Sequence, residues 1–431
     1  MNEWYGELPG HWEVQRIKVL FSLRDERNFE PLSDVCLLSL YTAIGVKPNK
    51  EIERKTGNRA VTADNYKKVY VNDIVVNIIL CWQGAVGVSK WDGVTSPAYD
   101  VYKAKSDTVN VDYFNYLFRL PHFSGECYKA GRGIMAMRWR TYSDQFTAIT
   151  VPLPPRSEQD QIVRYLDWKI SQINRLINAK RRQIGLLQEK KRAVVNEAVT
   201  RGGEGWQERK IKHIFSIKNG ATPESGKSEY WDGDIKWITP VDLSKVKTYV
   251  DSSLRTITEL GYSSCATTLL PANSLVLATR APIGNVRICG DSLCTNQGCK
   301  GLVPLDRDVN AKFYYYLLSA KETQLQALGD GTTFSELSTI KLANVHMLCP
   351  SHDEQQAIVT HLDGQCERID KLISKVNAEI TLLHEYRTRL ISDVVTGKVD
   401  VHGAVVPEHE AVEEAADAEE ITDTEIEGDE N

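Results

Sequence analysis

An internal duplication constrains this chain more than any other feature of its sequence. Residues 158–200 align without a gap on residues 354–396, and fifteen of the paired residues are identical. Each copy follows a proline, Pro154 or Pro350, and each copy ends in Val-Thr. A segment repeated in this way implies two copies of one structural unit, whose apolar faces are buried against neighbouring elements.

Both copies carry a heptad seam of mostly apolar residues, spaced alternately four and three positions apart. The seam positions are Leu166, Ile170, Ile173, Ile177, Lys180, Ile184, Leu187, Lys191, Val194 and Ala198, then Leu362, Cys366, Ile369, Ile373, Val376, Ile380, Leu383, Arg387, Leu390 and Val394. This spacing predicts two long coiled-coil helices, each of about 43 residues and roughly 65 Å. Lys191 and Arg387 interrupt the seam at the same repeat position. They either fix the register or extend into solvent, and the second interpretation is favoured.

The segments before the two helices repeat each other more weakly. The matching residues are Trp12, Ile17-Lys18 and Phe21-Ser22 in the first, and Trp206, Ile211-Lys212 and Phe215-Ser216 in the second. Strand-like runs at 73–77 and 274–278, interrupted by turn residues, predict compact domains that are largely β. Short helices are expected at 111–120 and 311–319.

The repeat predicts an α+β protein with a pseudo-twofold axis. The expected segments are a first globular domain at 1–155, a long helix at 156–201, a second globular domain at 202–351, a second long helix at 352–400 and a tail at 401–431. Pairing of the two apolar seams within one chain favours an antiparallel coiled coil. Two similar domains are then expected at opposite ends of a rod.

The acidic residues of the tail mask a net positive charge on the rest of the chain. Residues 403–431 contain twelve Asp or Glu and no Lys or Arg, so the rest of the chain holds 46 acids against 52 bases. The tail is expected to be disordered and solvated, whereas the excess of bases suits a nucleic-acid partner. The sequence contains no long apolar run and no secretory leader at its start, so a cytoplasmic protein is expected.

Motifs for catalysis or for a bound cofactor are weak in this sequence. Cys289, Cys294 and Cys299 are spaced too widely for a usual zinc site, and reduced thiols packed in strands are the better interpretation. Residues 221–228 fit a relaxed phosphate-loop pattern, but turn-like residues follow where a helix is required. A loop that contacts the DNA backbone is favoured there. We therefore predict no metal site, no cofactor and no catalytic residue.

The sequence resembles one known family. The pattern P-x-x-x-E-Q-x-x-I-V-x-x-L-D before each long helix is similar to the conserved helical regions of type I restriction–modification specificity subunits. The second domain resembles one target-recognition-domain type through Gly220–Pro223, Tyr230–Thr239, Asp242, Leu270-Pro271, Thr279-Arg280, Gly284 and Asn296–Gly298. The first domain departs from that type and is closer to another, with Gly84–Gly87 and Ser96–Tyr99.

The resemblance implies the remainder of the function. Each target-recognition domain would read one half of a split double-stranded DNA site, and the helices would set the gap between the halves. Two modification (methyltransferase) subunits, which bring S-adenosylmethionine and methylate adenine, would bind this chain. Restriction (motor-nuclease) subunits, which use ATP, would complete the complex. Two rivals stay open, a stand-alone enzyme and a coiled-coil adaptor that binds proteins without DNA specificity.

Candidate DNA-contacting residues are polar side chains on loops, because such side chains form paired hydrogen bonds with base edges or bind phosphates. The candidates are Lys47, Arg59, Gln83 and Lys90 in the first domain, and Thr222, Lys227, Arg280, Arg287, Asn296 and Gln297 in the second. For each of them a surface or turn-stabilising role is the alternative. The basic runs of the first helix, 180–182 and 190–192, either face DNA or form a solvated helix face, which is favoured.

Overall fold

The computed structural model describes residues 3–42, 44–51, 62–133, 139–280, 282–329 and 336–414. Its contacts divide the chain into two compact units. The first unit contains residues 1–182 and 377–431, and the second contains residues 183–376. Each unit therefore combines a globular part with a portion of each long helix.

The chain up to residue 200 contains the elements of the first globular part and the first long helix. The strands are β1 (Glu13–Arg16), β2 (Phe21–Arg24), β3 (Leu38–Tyr41), β4 (Gly45–Pro48), β5 (Lys67–Val69), β6 (Ile74–Asn77), β7 (Val86–Val88), β8 (Gly93–Thr95), β9 (Tyr99–Ala104) and β10 (Thr150–Leu153). The helices are α1 (Ile17–Leu20), α2 (Val111–Phe118), α3 (Pro121–Ala130), α4 (Ser143–Ala148) and α5 (Arg156–Thr200).

The rest of the chain contains the elements of the second globular part and the second long helix. The strands are β11 (Gln207–Lys210), β12 (Phe215–Asn219), β13 (Trp231–Ile238), β14 (Tyr249–Val250), β15 (Arg255–Ile257), β16 (Leu275–Ala278), β17 (Val286–Cys289), β18 (Cys294–Thr295), β19 (Cys299–Pro304) and β20 (His346–Cys349). The helices are α6 (Pro240–Lys245), α7 (Glu259–Ser263), α8 (Ala311–Ala320), α9 (Glu322–Ala327), α10 (Thr339–Ala343) and α11 (His352–Val395). Short 3-10 helices lie at Asn49–Glu51, Cys81–Gln83, Ile211–His213 and Ser228–Tyr230.

The first unit is built on an antiparallel sheet with the strand order β2-β9-β6-β7. Side chains alternate across β6, because successive residues of a strand point to opposite faces. Ile74 and Val76 therefore pack in a core with α2, α3 and the long helices, whereas Val75 packs in a second core with the β3–β4 hairpin. The predicted strand at 73–77 and the predicted helix at 111–120 are confirmed as β6 and α2.

The second unit repeats this arrangement with a five-stranded sheet, β12-β19-β16-β17-β14. Leu275 and Leu277 of β16 pack toward α8 and the long helices. Val276 and Ala278 face the other way, into a smaller core beneath α6. A short sheet, β15-β13-β18, completes this unit. The predicted strand at 274–278 and helix at 311–319 are confirmed as β16 and α8.

The two long helices run antiparallel within each unit, as the sequence predicts. In the first unit Arg387 donates to the Oδ1 atom of Asn174 at 2.8 Å, and Lys180 pairs with Glu379 at 2.6 Å. Residue numbers therefore rise along α5 while they fall along α11. The ends of the seam pack into the main core of each unit, through Leu166, Ile170, Leu390 and Val394 in the first and through Val194, Ala198, Leu362 and Cys366 in the second.

Lys191 and Arg387, the basic residues at matching positions of the two seams, bind across the helix pair. The Nζ atom of Lys191 lies 2.8 Å from both carboxylate oxygens of Asp370 in the second unit. Arg387 bonds to Asn174 at the matching position of the first unit. Because both cations are held by the facing helix, the contacts favour the register interpretation over extension into solvent.

The first part of the acidic tail lies against the first unit. Residues 401–414 form neither helix nor strand, but Gln161 donates to the carbonyl of Ala404 at 2.7 Å. Further along, Asn174 donates to the carbonyl of Val412 at 2.8 Å. The composition predicts a solvated segment here, yet side chains of α5 bind its backbone. The remainder of the tail lies outside the described residues.

Candidate nucleic-acid interface

In the second unit, three loops that carry candidate residues meet at one end of the five-stranded sheet. Asn219, the last residue of β12, pairs with Lys300 of β19, and Ala278, the last residue of β16, pairs with Cys299 at the start of β19. The loops after β12 and β16 and the turn before β19 therefore emerge side by side. Antiparallel pairing thus brings together candidates that are distant in sequence.

Thr222, Asn296 and Gln297 form the centre of this loop group. The hydroxyl of Thr222 donates to the side-chain oxygen of Gln297, and both residues are exposed. The side chain of Asn296 accepts from the backbone N–H of Gly298 at 3.0 Å, so it stabilises the turn. A Cβ atom on Gly220 would lie 2.1 Å from the carbonyl oxygen of Asn296, so this close approach requires glycine.

The basic candidates of this loop group are exposed and engaged in weak pairs. Arg280 bonds to Glu336 at 3.1–3.2 Å. Lys227 lies 3.3 Å from Glu224 and above the ring of Tyr230. Exposed pairs of this kind contribute little to stability, so a phosphate or a base can replace the carboxylate at little cost. Both side chains are therefore suited to bind DNA.

Arg287, in contrast, is built into the fold. Its Nε atom donates to the carbonyl of Val246 at 2.7 Å, and its Nη1 atom donates to the carbonyl of Val286 at 2.6 Å. Burial lowers the pKa of this guanidinium. These contacts favour a structural role for Arg287.

The candidates of the first unit are distributed over three elements. Gln83 is exposed at the end of a 3-10 turn that Gly84 closes with φ of 84°, a conformation that favours glycine. Lys90 is exposed and pairs with Asp112 at 2.6 Å. Lys47 of β4 lies 5.1 Å from the centre of the Trp91 ring. Arg59 lies outside the described residues.

Two residues of the candidate interface, Ser96 and Lys300, are not among the DNA-contacting candidates named from the sequence. The backbone N–H of Ala98 donates to the Ser96 hydroxyl at 3.4 Å, in the turn that enters β9, as the Asn296 turn enters β19. Ser96 of the first unit therefore occupies the turn position that Asn296 occupies in the second unit. Lys300 lies near Arg280, and burial, with this neighbouring charge, lowers the pKa of Lys300. The sequence gives no signal for Lys300, because it lies inside a strand and DNA-contacting side chains are expected on loops.

The phosphate-loop pattern and the cysteines have structural explanations. The loop at 220–227 continues into a three-residue 3-10 turn and then a strand, not into the helix that a phosphate loop requires.

Burial raises the pKa of Cys289 to about 12 and that of Cys294 to about 11, so both stay protonated thiols. Within the part of the chain that the structure describes, no three His, Cys, Asp or Glu residues are grouped to hold a metal ion.

The repeated Glu-Gln motif fastens each globular part to its long helix. The buried side chain of Gln159 accepts from the backbone N–H of Asn110 at 2.8 Å, and Asn110 in turn caps the start of α2. Gln355 accepts from the backbone N–H of Asn310 at 2.9 Å, and Asn310 caps α8. The motif that carries the family resemblance is therefore structural.

The two globular parts have similar folds, and each is joined to a pair of long helices. These features place the chain in a class of duplicated proteins with two domains and paired long helices. Residues 203–382 match the family described as the type I restriction modification DNA specificity domain. Over those residues the chain carries this domain, and it is similar to specificity subunits of type I restriction–modification systems.

Two relatives come from Methanocaldococcus jannaschii. The type I restriction enzyme MjaIX specificity subunit is 39% identical over 160 residues, which span 36% of this chain and 37% of that protein. The putative MjaX specificity subunit is 23% identical over 427 residues, which span 92% of this chain and 95% of that protein.

Solved structures share the fold. A chain from a type I R-M system has a TM-score of 0.68 at 15% identity and covers 91% of this chain and 100% of its own length. The HsdS subunit from Thermoanaerobacter tengcongensis has a TM-score of 0.51 at 15% identity, covering 91% and 98%. No helix in the described ranges is long and apolar enough to cross a membrane.

Proposed function

We propose that this chain reads a bipartite double-stranded DNA target for a type I restriction–modification complex, one half-site with each globular domain. The observation that carries this proposal is the repeated sheet end with different side chains. The turn into the central strand begins with Ser96 in the first unit and with Asn296 in the second. A common fold supports a common approach to DNA, whereas different side chains support different base readout.

The proposal assigns chemistry to the partners. Two modification subunits would supply S-adenosylmethionine and methylate adenine, motor-nuclease subunits would use ATP, and this chain would bind neither cofactor and catalyse no step. Support comes from the family resemblance and from the weakness of motifs for catalysis or for a bound cofactor in the sequence. The paired helices would set the gap between the half-sites and offer the surface on which the modification subunits assemble.

A domain exchange tests the proposal. The full complex is assembled with a chain whose residues 206–349 are replaced by the equivalent domain of a relative, and methylated adenines are mapped across a genome. We expect one half-site to change while the other half-site and the gap are retained. The matched control exchanges the first domain and should alter the opposite half-site. A change in both half-sites after either exchange would contradict independent reading.

The purified chain alone is the control for the non-catalytic role. Incubated with S-adenosylmethionine and target DNA, it should transfer no methyl group until modification subunits are added. Methylation by the chain alone would refute the scaffold function.

A further inference from the structure

The acidic tail carries two carboxylates into a cluster of cations on the first unit. The carboxylate of Glu414 lies 2.6 Å from Arg387, 2.8 Å from Arg181 and 3.3 Å from His384. The carboxylate of Glu413 lies 3.2 Å from Lys47. We call Lys47, Arg181 and Arg387 the cation cluster. Its members come from α5, α11 and β4, and the tail joins them.

The cation cluster is partly buried, which raises the cost of leaving it without an anion. The side chains of Arg181, Arg387 and Glu414 are 15–25% exposed. Arg119 lies close by, and its pKa is lowered by burial and then by the positive charge of Arg387. Like charges gathered at such a position require a counter-ion, and a phosphate group is as suitable as a carboxylate.

Comparison of the two repeats shows that α5 has no carboxylate at the repeat position of Asp370. Lys191, the repeat equivalent of Arg387, is neutralised by Asp370 on the facing helix. The repeat equivalent of Asp370 is Asn174, which offers Arg387 an uncharged oxygen. The missing negative charge comes from Glu414 of the tail. The negative charge that faces Lys191 is thus part of a long helix, whereas the negative charge that faces Arg387 lies on the tail and can be removed with it.

We propose that the acidic tail is an internal competitor of DNA, with Glu413 and Glu414 occupying cations that otherwise bind the phosphate backbone. This inference rests on the proposed function and adds its regulation. A covalently attached segment competes at an effective concentration of about millimolar. The competition suppresses weak binding to random sequence, whereas a target site, which adds base contacts, displaces the tail.

The test compares three full-length chains. Glu413→Gln/Glu414→Gln removes the two carboxylates that pair with the cation cluster. The matched control, Glu408→Gln/Glu410→Gln, removes the same charge from exposed positions of the same segment. Binding of a fluorescein-labelled duplex of random sequence is measured by anisotropy over a salt series, and circular dichroism checks that each chain is folded.

We expect Glu413→Gln/Glu414→Gln to bind random duplex about tenfold more tightly at low salt, with a log–log salt slope steeper by about 2, since each neutralised phosphate contributes about 0.9. The control should match the wild type. A chain ending at Ala404, which keeps the hydrogen bond from Gln161, should reproduce the gain, so the conclusion does not depend on one variant.

The outcomes separate the two proposals. If all chains bind duplex but Glu413→Gln/Glu414→Gln behaves like Glu408→Gln/Glu410→Gln, the tail does not compete, and this inference alone is overturned. A gain for the shortened chain but not for the double glutamine variant would overturn the assignment to these two residues. If no chain binds duplex in a salt-dependent manner, the DNA-reading function fails, and this inference fails with it.

Discussion

Replacing Gln159 with leucine should weaken the attachment of the first globular part to the long helix α5. The Gln159 side chain is fully buried and accepts from the N–H of Asn110 at 2.8 Å. Its amide group donates to the carbonyls of Thr108, at 3.1 Å, and Pro154, at 2.8 Å. Leucine has a similar volume, so the change mainly leaves one buried donor and two buried acceptors without this partner.

The expected loss follows from these three hydrogen bonds. Each contributes about 1 kcal/mol to the free energy of unfolding, so the loss should be about 3 kcal/mol. For a folded unit of this size, 1 kcal/mol corresponds to roughly 2–4 °C in the melting temperature, so Tm should fall by about 6–12 °C. Because Asn110 caps α2, the backbone amides of that helix should exchange with deuterium faster.

Thermal unfolding by calorimetry and hydrogen exchange by mass spectrometry measure both effects. The matched control is Gln172→Leu, the same substitution at an exposed position of α5 in the same unit. If Gln159→Leu lowers Tm no more than Gln172→Leu and leaves exchange in α2 unchanged, the Glu-Gln motif does not fasten the domain, and the reasoning is refuted.

Two further predictions separate exposed from built-in residues. Arg280→Ala should weaken target binding about tenfold or more with little change in Tm, as expected for loss of a base or phosphate contact. Arg287→Ala should instead lower Tm, because its hydrogen bonds stabilise the fold. The reverse pattern, with binding measured by anisotropy and Tm by calorimetry, would contradict both roles. Because burial raises the pKa of Cys289 to about 12 and of Cys294 to about 11, these thiols stay protonated below those values. Iodoacetamide at pH 8 should therefore label them more slowly than half-buried Cys265, and faster labelling in peptide mass spectra would count against this.

The fold was largely accessible from the sequence, whereas the candidate site was only partly so. The heptad seam and strand alternation are local patterns, and α5, α11, β6 and β16 appear where those patterns place them. Residue type alone did not separate Arg280 from Arg287, because both are arginines of one β-rich segment. Their difference lies in the backbone carbonyl of Val246, which the tertiary fold brings to Arg287, and in that of the adjacent Val286.

The sequence by itself determined the duplication, the two long helices and the family resemblance, because identity between copies and periodic apolar positions are properties of the chain alone. Tertiary structure decided three other matters. It joined Gln159 of α5 to the backbone of Asn110 by a hydrogen bond. It also placed the candidates of the second unit at one end of the sheet, and it placed Glu414 of the tail next to cations of α5 and α11. These contacts join residues far apart along the chain, so their energies depend on burial and distance, which no local pattern encodes.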